Sequence, residues 1–173
     1  MAMGMTFSAP WCRILKGMTV FSVCLLLGIT LIGIRKGPLL KSSGIEIVWV
    51  LSMISLPLLM VLISPLFMIR GYILSRNVLY IKRLGWTSKI LLENLQSIEI
   101  DPTIMKGTIR TFGNGGLFCF CGLYWKREVG TISVYITDFK DPVVLRFPKR
   151  TIVVSPEEPE RFVAMVKQLR AMV

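Results

Sequence analysis

Hydrophobic and polar positions change their spacing twice along this chain. Residues 17–34, "GMTVFSVCLLLGITLIGI", carry no charge, and residues 47–69, "IVWVLSMISLPLLMVLISPLFMI", again carry none. At a helical rise of about 1.5 Å per residue these runs reach roughly 27 and 34 Å, which matches or slightly exceeds the hydrocarbon layer of a bilayer. Both are too long and too uniformly apolar for core helices of so short a chain, so they predict a transmembrane helical hairpin. Pro57 and Pro65 predict a kinked or tilted second helix, whose freed carbonyls neighbouring groups must satisfy. The intervening "RKGPLLKSSG" has no small-x-small cleavage pattern, and the first run reads as an anchor rather than a signal peptide.

From Arg70 onward the continuous apolar pattern gives way to alternation. "GYILS", "NVLYIKRL", "SKILLENL" and "SIEID" read as short strands, with reversals at Arg76-Asn77 and Gly85-Trp86. "GTISVYITD", "PVVLRFP" and "RTIVVSP" come next with turns at Asp141-Pro142 and Pro148-Lys149, a spacing that predicts an antiparallel barrel or sandwich. One helix closes the chain. Ser155 is placed to cap it, with Pro156 in the first helical position and Glu158 completing a capping box. Glu157, Glu158 and Glu160 suit the positive end of the helix dipole, and Lys167 and Arg170 the negative end. Phe162, Val166, Leu169 and Val173 recur at helical spacing and predict a stripe buried against the strands.

Composition strengthens the membrane reading, since 53% of the 173 residues are apolar. The formal net charge of +11 makes anionic surfaces natural neighbours. Arg13 and Lys16 precede the first run, and Arg70, Arg76, Lys82, Arg83 and Lys89 come after the second, whereas Arg35, Lys36 and Lys41 lie between the two. This bias predicts both termini in the cytoplasm, where thiols stay reduced. Histidine is absent, which removes the Ser-His-Asp and Cys-His arrangements and the commonest metal ligand. The cysteines at 12, 24, 119 and 121 do not assemble a tetrahedral site, so neither metal nor cofactor is expected.

The stretch "RTFGNGGLFCFCGLYW", residues 110–125, stands apart. It lacks the Gly-Lys-Ser/Thr and Gly-x-Gly-x-x-Gly spacings of nucleotide-binding loops, and aromatic residues rather than a helix come after it. Asn114-Gly115 predicts a two-residue hairpin turn, with Gly113 and Gly116 beside it free to take positive φ. Leu117, Phe118, Phe120 and Trp125 add apolar bulk, with Lys126 and Arg127 directly after them. Aromatic rings beside cations favour a bilayer interface, so these ten residues are the candidate contact with lipid, with the spans or with a partner copy.

Residues from about 71 to 173 resemble a bacterial pleckstrin-homology-like family found in small membrane proteins. "GYILSRNVLYIKRLGWTSKILLENLQSIE", "RTFGNGGLFCFCGLYW", "VGTISVYITDFKDPVVLRF" and "RTIVVSPEEPERFVAMV" carry the resemblance; "FGNGGLF" is its most specific part, and Cys119 departs from a glycine common there. Together with the two transmembrane helices read from the apolar runs, the resemblance implies an α+β chain, in which a bent antiparallel β-barrel of about seven strands capped by a C-terminal helix comes after the helical hairpin. Residues 1–16 would be a cytoplasmic segment, 17–69 the helical hairpin and 70–173 the domain, in a multi-pass protein of the bacterial inner membrane.

The function implied is that of a binding or scaffolding module, which recognises a protein partner, a second copy or anionic membrane lipid. Headgroup sites in relatives of this fold lie near the loop between the first two strands. Arg76 lies at that turn, with Lys82, Arg83 and Lys89 around the next one, forming a candidate basic membrane face. A small enzyme of lipid or envelope metabolism is the alternative. However, Asp138 and Asp141 in "TDFKDP" read as a polar turn, and Ser155 has no evident base. Nucleic-acid binding rests on charge alone and is not expected. A reporter active only outside the cytoplasm, fused after Val173, is expected to stay silent; a strong signal would reverse the orientation.

Overall fold

The computed structural model describes residues 5–37 and 43–171. Lys41, one of the cations between the apolar runs, and Val173, the last residue of the apolar stripe, lie outside the described residues. Helix α1 spans Arg13–Lys36. The second apolar segment is helical over Gly44–Phe67, but its winding changes along its length. It comprises α2 (Ser43–Trp49), a π-helical stretch Val50–Ser55, α3 (Leu56–Ile63) and a 3₁₀ turn Ser64–Phe67. The prolines account for this. Ahead of Pro57 the Leu56 amide bonds five residues back to Leu51, and Pro65 sits within the tighter final turn. The two helices meet closely where the Trp49 indole donates to the Gly33 carbonyl at 3.1 Å. A Cβ at Gly33 would stand 2.8 Å from that of Met53, so only glycine permits this approach.

Both helices are long and apolar enough to cross a membrane, and only 17% and 11% of their most apolar windows are buried within the protein. A core helix of a water-soluble fold would show the reverse. Their leucines, isoleucines and valines stay exposed as a broad apolar surface that no other described residue covers.

Among the described residues ten strands form two sheets. β1 (Met5–Ser8), β2 (Ile69–Ser75), β3 (Val78–Arg83) and β4 (Thr87–Leu91) pair in sequence order, all antiparallel. The second sheet contains β5 (Ser97–Ile100), β6 (Ile109–Gly115), β7 (Phe120–Lys126), β8 (Gly130–Ile136), β9 (Val143–Phe147) and β10 (Arg150–Val154), in the order β5-β9-β10-β8-β7-β6. All seven strands read from the alternation are present. The glycine-rich stretch supplies β6 and β7, and the N-terminal segment supplies β1.

One pairing departs from the antiparallel expectation: β10 runs parallel to β8. Residues 137–142 carry the chain past the position beside β8, and β10 then folds back into it from β9. Thr151 to Val154 are all buried there, as suits a central strand covered on both faces.

The core lies between the sheets. Phe7 on β1 packs edge-on against Phe162 at a centroid distance of 5.1 Å, and Tyr72, Leu79, Ile81, Leu145 and Val154 belong to the same cluster. Helix α4 (Pro159–Ala171) inserts Phe162 and Val166 into it. The helix starts later than Ser155 predicts. The Phe162 amide donates to the Glu158 carbonyl at 2.9 Å, which makes Glu158 the capping residue and Pro159 the first helical one. Ser155 is instead buried, and its hydroxyl accepts from the Thr137 amide at 2.9 Å. Its own amide donates to the Tyr72 hydroxyl at 3.1 Å, and that hydroxyl donates to the Tyr135 carbonyl at 2.8 Å. A tertiary demand for a buried acceptor outweighs the local capping signal.

Tyr72 thus ties the first sheet to the second, and burial pushes its phenol from 10.0 up to about 12. Because the folded value stands above the unfolded one, this contribution is full below pH 10 and is lost as pH rises through 12. Tyr72→Phe is expected to cost about 2 kcal/mol at neutral pH by orphaning two backbone groups. The gap between variant and parent in detergent-solubilised melting should narrow across that window. A constant gap would contradict the assignment.

Candidate functional site

The β6–β7 hairpin forms an edge of the second sheet, with Gly115 opposite Phe120 and Asn114 opposite Cys121. Its turn is therefore residues 116–119, two residues beyond the Asn114-Gly115 turn expected from sequence. Asn114 lies in the strand and closes the longer loop with its side chain, donating to the Leu117 carbonyl and accepting from the Leu117 amide at 2.9 Å. The Gly116 amide completes the loop on the Cys119 carbonyl at 3.0 Å. Further along, Gly113 faces Gly122, with φ values of 113° and 145°. A Cβ on either would come within 2.3 Å of a carbonyl oxygen on the facing strand.

The tip of this hairpin rests on α1. Thr19 donates to the Gly116 carbonyl at 3.0 Å and accepts from the Phe118 amide at 3.1 Å. Phe118 is held at φ 68°, uncommon for a bulky residue, and its ring meets Trp11 edge-on at 6.0 Å. Leu15, fully buried, joins Phe120 and Tyr124 in a second core cluster. Within the chain, the tip residues meet α1, the first helical segment. The outer face is different. Cross-strand pairs Ile109 with Trp125 and Phe112 with Leu123 stay exposed, Phe112 by 74%.

Beside that face an apolar cavity of about 800 Å³ opens between the hairpin and the end of the second helix. Leu59, Ile63 and Phe67 form one wall, and Phe112, Leu117 and Leu123 the other. Arg83 reaches into it from β3. Its guanidinium carbon lies 5.1 Å from the Trp86 ring and 5.3 Å from the Tyr135 ring, and Phe67 packs on Trp86 in turn. Arg83 Nε is buried with no hydrogen-bond partner. Among the described residues Arg83 forms no ion pair.

Cys121 also borders the cavity, and the Cys119 thiol donates to its sulfur at 2.9 Å. That bond lowers the Cys121 thiol, with a further contribution from the Arg83 charge, while the same bond and burial raise Cys119. Among the described residues no three metal-ligating side chains come together.

The basic residues named from sequence do not form one face. β3 pairs Arg83 with Ile69, close to the end of the helix, and places Arg76 at the far turn of the same hairpin. Lys82 and Lys89 are exposed, with the Lys89 ammonium 5.9 Å from the Tyr80 ring. Arg83 turns inward. Lys126 is also withdrawn from the hairpin's outer surface, since its ammonium donates to the carbonyls of Thr103 and Ile104 at 3.0 and 3.2 Å. Arg127 remains exposed in the next turn. Asp138 accepts from the Lys140 amide at 3.1 Å, the polar turn read from its sequence.

Sequence reasoning missed Trp11 and Thr19, because nothing local links the start of a span to a loop about a hundred residues away. The inward placement of Arg83 left a signal: counting back from the Arg76-Asn77 turn puts it opposite the end of the second apolar run.

The family described as a bacterial PH domain matches residues 70–170, from the start of β2 to the last turn of α4. No curated protein and no solved structure matches the chain.

Gly113→Ala is expected to destabilise the protein by about 3 kcal/mol through backbone strain and overlap with the facing carbonyl. Gly130→Ala, also at positive φ but in open space, should cost about 1 kcal/mol. Equal losses in thermal denaturation would show that the Gly113–Gly122 approach is not the reason for glycine.

Proposed function

Because the chain belongs to the bacterial PH domain family, we propose that it is a binding and scaffolding module anchored in the bacterial inner membrane, with both termini on the cytoplasmic face. PH domains as a class bind lipids or proteins, and no reaction is required of them. The observation that carries this reading is the double attachment of domain to helices. Thr19 bonds the hairpin tip to α1, while the amides of Gly85 and Leu84 donate to the carbonyls of Leu66 and Met68 at 3.0 and 3.1 Å at the end of the second helix. A domain so held keeps its aromatic hairpin at the depth where the helices leave the hydrocarbon.

Two kinds of ligand suit that position. The exposed pairs around Phe112 and Trp125, beside Arg127, favour an anionic lipid surface. The β6 edge also favours a protein: its backbone has no strand on its outer side among the described residues, so an extended segment of a partner or second copy can add there. The enzyme reading has less support, since the Ser155 hydroxyl is engaged in holding β8 and β10 together.

A photo-crosslinking residue at Phe112 in the full chain, irradiated in native membranes, is expected to give lipid or protein adducts well above those from the buried position Tyr72. Adducts no more frequent at 112 than at 72 would remove this face as the binding element.

A further inference from the structure

We propose that the cavity between the second helix and the β6–β7 hairpin holds one anionic phospholipid, with its phosphate on Arg83 and one acyl chain along residues 59–67. This deepens the membrane-anchored reading and rests on it. The first ground is Arg83. A buried guanidinium nitrogen without a partner is rare, and here the rings of Trp86 and Tyr135 flank the group while its Nε has none among the described residues. The planar fork of arginine matches phosphate oxygens better than any other side chain does.

Position is the second ground. Register sets Arg83 opposite Ile69, just past the helix end at Phe67, which is headgroup depth if the helix spans. Residues 59–67 then descend roughly 12 Å toward the hydrocarbon at helical rise, presenting Leu59, Met60 and Ile63 to the cavity. One cation at the mouth and an apolar wall running inward is the shape of a phospholipid. A free anion would leave that wall unused, and an uncharged chain would leave Arg83 unpaired. A peptide added at the β6 edge would pair with backbone and would leave both Arg83 and the helix wall unused, and the Asn114 side-chain amide that borders the cavity is already committed to Leu117. The volume of about 800 Å³ lies within the range of ligand pockets. Arg76, at the far turn, takes no part.

The test uses the full chain, stripped of lipid in detergent and offered mixed micelles containing phosphatidylglycerol or phosphatidylcholine at equal mole fraction. Bound lipid is counted by native mass spectrometry. One phosphatidylglycerol per chain is expected, preferred over phosphatidylcholine and not displaced by inorganic phosphate. Arg83→Gln should weaken it about tenfold, the worth of one charge-assisted hydrogen bond, and Ile63→Trp, which places an indole where the acyl chain would lie, should weaken both lipids. Unchanged binding in both variants, equal retention of the two lipids, or displacement by phosphate alone would overturn the proposal.

A second measurement needs no variant. Phosphatidylglycerol with a photoreactive acyl chain, in nanodiscs of that lipid and phosphatidylcholine, should label peptides 59–67 and 112–123 in preference to the outer face of α1. Uniform labelling would also overturn it. Either failure leaves the anchored reading standing, whereas a chain soluble without detergent would remove that reading itself.

Discussion

β1 and β2 lie side by side in one sheet, although the whole helical hairpin separates them in sequence. Met5 to Ser8 pair with Leu74 to Gly71, so the chain enters the domain, leaves it through α1 and returns at Ile69 to the strand beside its own beginning. Two helices that cross a bilayer restore the chain to its starting side, which is what this pairing requires. The same strand places Phe7 against Phe162 on the C-terminal helix, and both ends of the polypeptide therefore meet in one core. Thr19 on α1 and Leu66 at the end of the second helix add two further attachments, to the hairpin tip and to Gly85.

Much of the fold was legible because it is periodic. Uniform apolar runs, period-two alternation and the Phe162, Val166, Leu169 stripe each reflect a single local geometry set against a single environment. The misread elements are those decided by partners distant in sequence. β1 has four residues, of which only Phe7 is buried, too little alternation to announce a strand. Ser155 carries every local mark of a helix cap, yet the ends of β8 and β10 needed a buried acceptor more. Asn114-Gly115 has the composition of a tight turn, but the asparagine side chain stabilises a four-residue loop and moves the reversal outward.

At the candidate site the residue types were visible and their division was not. Alternation along β7 sends Phe120 and Tyr124 inward and Leu123 and Trp125 outward, so one aromatic cluster becomes a structural seal and an exposed face. The basic cluster divides by the same arithmetic along β3: Lys82 faces out, and Arg83 turns into a cavity where it finds aromatic rings and no carboxylate. Among the described residues Arg83 thus stands without an ion pair at the junction between the apolar helical hairpin and the β-domain.

The closure of the chain on itself is tested most directly by Thr6→Cys with Ile73→Cys, opposed in the β1–β2 register. With Cys12 and Cys24 changed to serine, mild oxidation of intact membranes should give an intramolecular disulfide in the monomer, since facing strand residues lie within bridging distance. Failure to bridge, with the two thiols modified independently from opposite sides of the membrane, would contradict the account.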